Sequence, residues 1–100
     1  MADVLLTLIM PDDVAQHVED LLLSRPDLVP GFTVGAAEGH GSVVHLVADA
    51  ELVAGHAPRR VIHTVGPEAD KREVLALIQR ELPRANVFYW LVPVLAAGRL

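Results

Sequence analysis

Four of the seven prolines in this 100-residue chain bracket two amphipathic segments, and that punctuation limits the fold more than any other feature. A proline in the first turn of a helix costs little, because its missing N–H would have had no partner there. The residue before a proline, by contrast, is pushed out of helical backbone. Pro11 and Pro67 therefore read as helix starts. Each is followed by carboxylates that suit the positive end of the helix dipole, Asp12 and Asp13 after the first, Glu68 and Asp70 after the second. Arg25, ahead of Pro26, and Leu82, ahead of Pro83, read as helix ends. Val14, Val18, Leu21 and Leu22 make one apolar stripe at helical spacing, and Val74, Leu75, Ile78 and Leu82 make the other.

Four strand-like runs surround these helices. "VLLTLIM" (Val4–Met10) is almost continuously apolar, as expected of a strand buried on both faces. Gly31–Ala37, Arg59–Val65 and Asn86–Val94 supply the others. The order β-α-β-β-α-β predicts an α+β, ferredoxin-like domain spanning residues 1–100. It has a four-stranded antiparallel sheet, two helices on one face, and a long connection (residues 38–58) between strands two and three. Within that connection "SVVHLVA" extends the strand, and "DAELVAG" makes a helical turn capped by Asp49 and closed by Gly55. The face without helices should be polar, yet both sides of two strands are apolar: Leu5 and Ile9 stand opposite Val4, Leu6 and Leu8, and Phe88, Trp90 and Val92 stand opposite Val87, Tyr89 and Leu91. An apolar second face predicts a symmetric homo-oligomer, with packing of the tail "LAAGRL" on that face as the alternative. "FYW" at residues 88–90 then reads as core plus subunit contact.

Composition narrows the partners. The chain is 52% hydrophobic, chiefly Val, Leu and Ala, and carries a net charge of −5 with Lys71 as its only lysine. Phosphate neutralisation needs clustered cations, so nucleic acid is not an expected partner. There is no cysteine, which removes disulfide and thiolate chemistry. Asp3 stands where a signal peptide would be basic, and Val87–Gly98 is too short to span a bilayer, so a cytoplasmic protein without membrane insertion is expected.

Several stretches resemble the PII-like superfamily, whose members are trimeric ferredoxin-like domains with a long signalling loop between strands two and three. Gly31-Phe32 resembles the Gly-Phe that opens strand two in PII proteins, and Gly39-His40 their Gly-His at the base of that loop. "LLTLIMP", "GFTVGAAEGHGS" and "YWLVPVLAAGRL" are similar to a small bacterial PII-like family of unknown function, often encoded beside heavy-metal efflux systems of the resistance-nodulation-division type. CutA, a trimer linked to divalent-cation tolerance, is a more distant relative. The resemblance implies a homotrimeric sensor that signals through residues 38–58 to a protein target, such as a membrane transporter or regulator. It departs at "LPRANVFYW", where nucleotide-binding PII proteins carry glycine and lysine to cradle phosphates. Arg59, Arg60 and Arg84 remain as phosphate partners, with Gly39 and Gly41 able to bring backbone close to an anion.

Four of the five histidines, His40, His45, His56 and His63, fall in or beside the connection. Imidazole without thiolate suits Zn, Cu, Ni or Co, with Glu38, Asp49 and Glu51 as carboxylate partners. His40, His45 and Glu38 have the first claim, although no tight histidine spacing marks a site. The plainer readings are a solvated charge cluster around His17 (Asp13, Asp20), a satisfied core histidine at His63, and an exposed loop residue at His56. Catalysis is not expected. Ser24 and Ser42 are the only serines, "GHGSVV" is not a nucleophile elbow, and the paired acidic residues sit where helix dipoles and solvent explain them. Three readings of function follow: a metal-responsive sensor, a nucleotide- or small-molecule-binding module, and a ligand-free protein-interaction module.

Overall fold

A computed structural model describes residues 2–41 and 57–100. In chain order the elements are β1 (Asp3–Pro11), a single 3-10 turn (Asp12–Val14), α1 (Ala15–Leu23), β2 (Thr33–Gly39), β3 (Ala57–Pro67), α2 (Glu68–Glu81) and β4 (Phe88–Pro93). The strands form one sheet in the order β2-β3-β1-β4, and every neighbouring pair is antiparallel. This is the expected ferredoxin-like arrangement.

The register divides the residues between the two faces. Leu6 lies opposite Thr64 and Leu91, Leu8 opposite Ile62 and Tyr89, and Met10 opposite Arg60. Side chains alternate along a strand, so Val4, Leu6, Leu8 and Met10 share the helix-facing side. All four are buried, and with Val18 and Leu22 of α1, Val74 and Ile78 of α2 and Ile62 of β3 they make the core. Among them Leu6, Leu8, Met10, Val18, Leu22, Ile62 and Val74 exclude solvent completely.

Element boundaries moved for physical reasons. Pro11 remains in β1 because a proline at the end of a strand costs no needed donor, and the first helix begins with a 3-10 turn at Asp12–Val14. Beyond α1 the chain is held by local bonds. Arg25 donates from Nε to Asp27 Oδ1 at 3.0 Å and from its terminal nitrogen to Asp27 Oδ2 at 2.9 Å, while the Leu28 and Val29 N–H groups donate to the Arg25 carbonyl. The Arg25 bond lowers the Asp27 carboxyl from its ordinary range. That turn delays β2 to Thr33, so Gly31 and Phe32 precede the strand expected to begin with them. The strand and helical turn expected within residues 43–55 lie outside the described residues.

The second face of the sheet carries Leu5, Thr7 and Ile9 of β1, Val61, His63 and Val65 of β3, and Phe88, Trp90 and Val92 of β4. Phe88 is 65% exposed, Trp90 41%, Val92 39% and Val65 38%, and the Phe88 and Trp90 rings meet edge to face at 6.1 Å. The aromatic run is therefore not core within one chain. Nor does the tail cover this face, because Leu95 and Leu100 are fully exposed. His63, read from sequence as a candidate core histidine, stands exposed on this same face. Its alternation with Val61 and Val65 was real, but no element among the described residues packs over that side of the sheet. No helix among the described residues is long and apolar enough to cross a membrane.

Candidate functional site at the base of the β2–β3 connection

The ends of β2 and β3 that frame residues 42–56 collect most of the polar candidates. Glu38 pairs in register with Pro58, Ala37 with Arg59 and Ala36 with Arg60. Beyond the last rung, His40 Nε2 lies 3.3 Å from Glu38 Oε2, with both side chains largely exposed. Gly41 follows with φ +108°, a backbone that side-chain-bearing residues rarely adopt, and a Cβ placed there would meet nothing. A carboxylate and an imidazole in contact, beside open backbone, form two donors of the kind a borderline divalent cation takes. Among the described residues no group of three His, Asp or Glu side chains assembles.

The two arginines separate. Arg60 shares the helix-facing side with Met10, and its Nε donates to Asp12 Oδ1 at 2.7 Å. Arg59, opposite Pro11 and Ala37, points to the other face and is buried, with a long 3.4 Å bond to the Pro58 carbonyl. Consecutive strand residues face opposite sides, so the two arginines project from opposite faces of the sheet. Asp12, read from sequence only as a helix-start carboxylate, joins this end of the sheet through Arg60. Nothing in the sequence signals that ion pair, which spans 48 residues.

His63 is elsewhere. It lies opposite Thr33 at the far end of β2, five residues from Glu38, or roughly 17 Å along the strand, and on the opposite face. His63 and the Glu38–His40 pair are thus not brought together within one chain. His45 and His56, with Asp49 and Glu51, lie outside the described residues.

A buried polar cluster stands apart from this end of the sheet. Lys71 of α2 is wholly inaccessible, and its Nζ donates to the Leu28 carbonyl at 2.8 Å and to Thr64 Oγ1 at 3.1 Å. Thr64 donates in turn to the Gly31 carbonyl at 2.8 Å. Desolvation pushes the Lys71 amine below its ordinary value, partly opposed by Asp70 and Asp3. Sequence reasoning counted Lys71 only as a charge. The missed signal is positional: residue 71 precedes Val74 by three and Ile78 by seven, on the buried stripe of its helix.

Solved structures of other proteins share the fold. A DUF3240 family protein from Shewanella baltica OS155 superposes with a TM-score of 0.79 at 20% identity, over 100% of this chain and 98% of its own. A putative PII-like signalling protein from Thermus thermophilus gives 0.63 at 20% identity, covering 94% and 91%. CPII, a nitrogen regulatory PII-like protein from Thiomonas intermedia K12 whose structure holds ADP, AMP and bicarbonate, gives 0.65 at 21% identity, covering 100% and 97%. At these identities the likeness is one of fold. Comparison with curated proteins returned no match. A family profile described as "Protein of unknown function (DUF3240)" matches residues 1–100, and the chain belongs to that family.

Proposed function

We propose that this protein is a non-catalytic PII-like regulatory module. A small ligand bound at the base of the β2–β3 connection governs how residues 38–58 meet a protein partner. The observation that carries this reading is the meeting of Glu38, His40 and Gly41 with the first residues of β3 at one end of the sheet, on a fold shared with PII-like signalling proteins. A ligand there bridges the two strands from which the connection springs, and so biases its arrangement. The assembly proposed is a homotrimer, supported by the exposed apolar face of Phe88, Trp90 and Val92, which a second and third copy would cover.

A divalent transition metal is the first ligand proposed, with His40 and Glu38 as initial donors. The remainder come from His45, His56 and, through a second copy, His63. A metal-efflux transporter or its regulator is the corresponding target. A nucleotide is the second reading, favoured by Arg59 and Arg60 beside Gly39 and Gly41 and by the ADP and AMP in the CPII structure. With Arg59 and Arg60 on opposite faces, each arginine would serve a different phosphate or a different copy. Thermal shifts with Zn, Cu, Ni and Co, run beside ADP and AMP, separate the two. A metal-dependent rise that is lost in His40→Ala/His45→Ala supports the first, and weakens on acidification because imidazolium cannot coordinate. A rise with ADP or AMP alone, reduced in Arg59→Ala or Arg60→Ala, supports the second. No shift with any of the six removes the ligand reading and leaves a protein-interaction module.

A further inference from the structure

Both edges of the sheet are open: among the described strands β2 has only β3 beside it, and β4 only β1. Unpaired backbone N–H and C=O groups along an edge invite another strand, and edges that stay apart are blunted by charge or by a proline inside the strand. These two are hardly blunted. Glu38 is the only charged residue of β2, and β4 has no charge and only a terminal proline, Pro93.

The edges are also unequal in size on the face without helices. Along β2 that face presents Thr33, Gly35, Ala37 and Gly39, and along β4 it presents Phe88, Trp90 and Val92. A Cβ on Gly35 would meet nothing, so packing within one chain does not ask for a glycine there. Glycine inside a strand marks a sharp corner or the close approach of another backbone. The smallest side chains of the sheet thus line one open edge and the largest line the other, as two sides of an acute corner require.

Strand direction permits the two edges to meet. Every neighbouring pair in the sheet is antiparallel, so β2 and β4 run in opposite directions. Rotation about an axis along the strands preserves those directions. It therefore sets β4 of one copy antiparallel to β2 of the next, with the helices outside and the apolar face inside. Sheet width then selects the number of copies. Four strands about 4.8 Å apart make a wall about 19 Å wide, and facing sheets pack about 10 Å apart, or about 5 Å from each wall to the middle. Three flat walls of that width lie about 5.5 Å from their common axis, whereas four lie nearly 10 Å away and leave a void. Two copies stack face to face and leave their edges unpaired. Charge agrees as well. Apart from His63, Asp3 and Arg59 are the only ionisable residues the four strands place on this face, at opposite ends of it, so copies of a chain with net charge −5 meet there without acidic repulsion.

We infer that β4 of one copy pairs antiparallel with β2 of the next, closing three copies into a three-walled barrel in which Phe88 and Trp90 fill the corner against Gly35 and Ala37. This rests on the self-association proposed above and deepens it, by assigning the contact to the sheet edges and the copy number to the sheet width.

Valine substitutions on the two sides of β2 test the corner, because Gly35 faces inward and the exposed Ala36 faces outward. Gly35→Val is expected to raise the concentration of half-dissociation roughly tenfold or more, while Ala36→Val leaves it within about twofold. Native mass should correspond to three copies. Amide hydrogen exchange should slow in both 33–39 and 88–92 when a dilute, dissociated sample is concentrated. A mass of two or four copies, equal effects of valine at 35 and 36, or protection gained at one edge only overturns the barrel. A wild type that is monomeric at micromolar concentration sinks the self-association reading as well. An oligomer that fails these edge tests sinks this inference alone.

Discussion

Lys71 holds three parts of the chain together: helix α2 through its own backbone, the connection after α1 through the Leu28 carbonyl, and β3 through Thr64. Space beside it is tight, since a Cβ on Gly66 would sit 3.0 Å from Lys71 Cε and 3.2 Å from Nζ, the end of a side chain pinned by two hydrogen bonds. Gly66→Ala is expected to destabilise the fold by about 1–3 kcal/mol in denaturant unfolding, the usual cost of overpacking. Combined with Lys71→Ala it should cost less than the sum of the two single changes. Titration provides a second check. The folded-state amine titrates below the unfolded one, so between the two values the unfolded chain binds more protons and stability rises with pH. Below that window both states are charged and the burial penalty is constant. Stability measured from pH 7 upward should therefore climb as the window toward 10.5 is entered, and Lys71→Met should flatten that climb.

At the scale of elements, the central strand β1 poses an unusual demand. Its helix-facing residues are ordinary core, but Thr7 on the other face is 1% exposed, and its hydroxyl has no partner among the described residues. It sits in one row across the sheet, Thr33–His63–Thr7–Trp90, a polar interruption between the apolar rows Val65–Leu5–Val92 and Val61–Ile9–Phe88. An orphaned buried hydroxyl costs about 1–3 kcal/mol. If no second copy bonds it, Thr7→Val should raise unfolding stability by about 1 kcal/mol. A loss instead would mean that a neighbouring chain supplies the partner. The strand and helix types were legible because period and punctuation agree: prolines bracket stripes of period 3.6, and the runs between them alternate. Boundaries were less legible. The Arg25–Asp27 bidentate pair and the turn it braces postponed β2 by two residues, and short-range polar bonds of that sort leave no periodic trace.

Over the whole molecule, the exposed Phe88, Trp90 and Val92 are the strongest indication of assembly, since a lone chain gains nothing from displaying them. Phe88→Glu or Trp90→Asp should shift the native mass toward monomer, while leaving the helix-side core and the far-ultraviolet circular dichroism spectrum intact. An unchanged oligomer mass would show that the sheet face is not the contact. The candidate site was only partly readable. Gly39-His40-Gly41 stood out by residue type, and Glu38 proved to lie against His40. Strand alternation puts Arg59 and Arg60 on opposite faces of the sheet, and His63 lies on the exposed face.

The sequence by itself determined the order of elements and their apolar faces, because helix punctuation and side-chain period are local properties carried by a few neighbouring residues. Only the tertiary structure decided that a lysine lies in the core, that Arg60 meets Asp12, and that the described residues of one chain leave the apolar second face and tail uncovered. Each of these depends on which distant segments the sheet register places side by side, and register is set by the packing of the whole sheet rather than by any one strand.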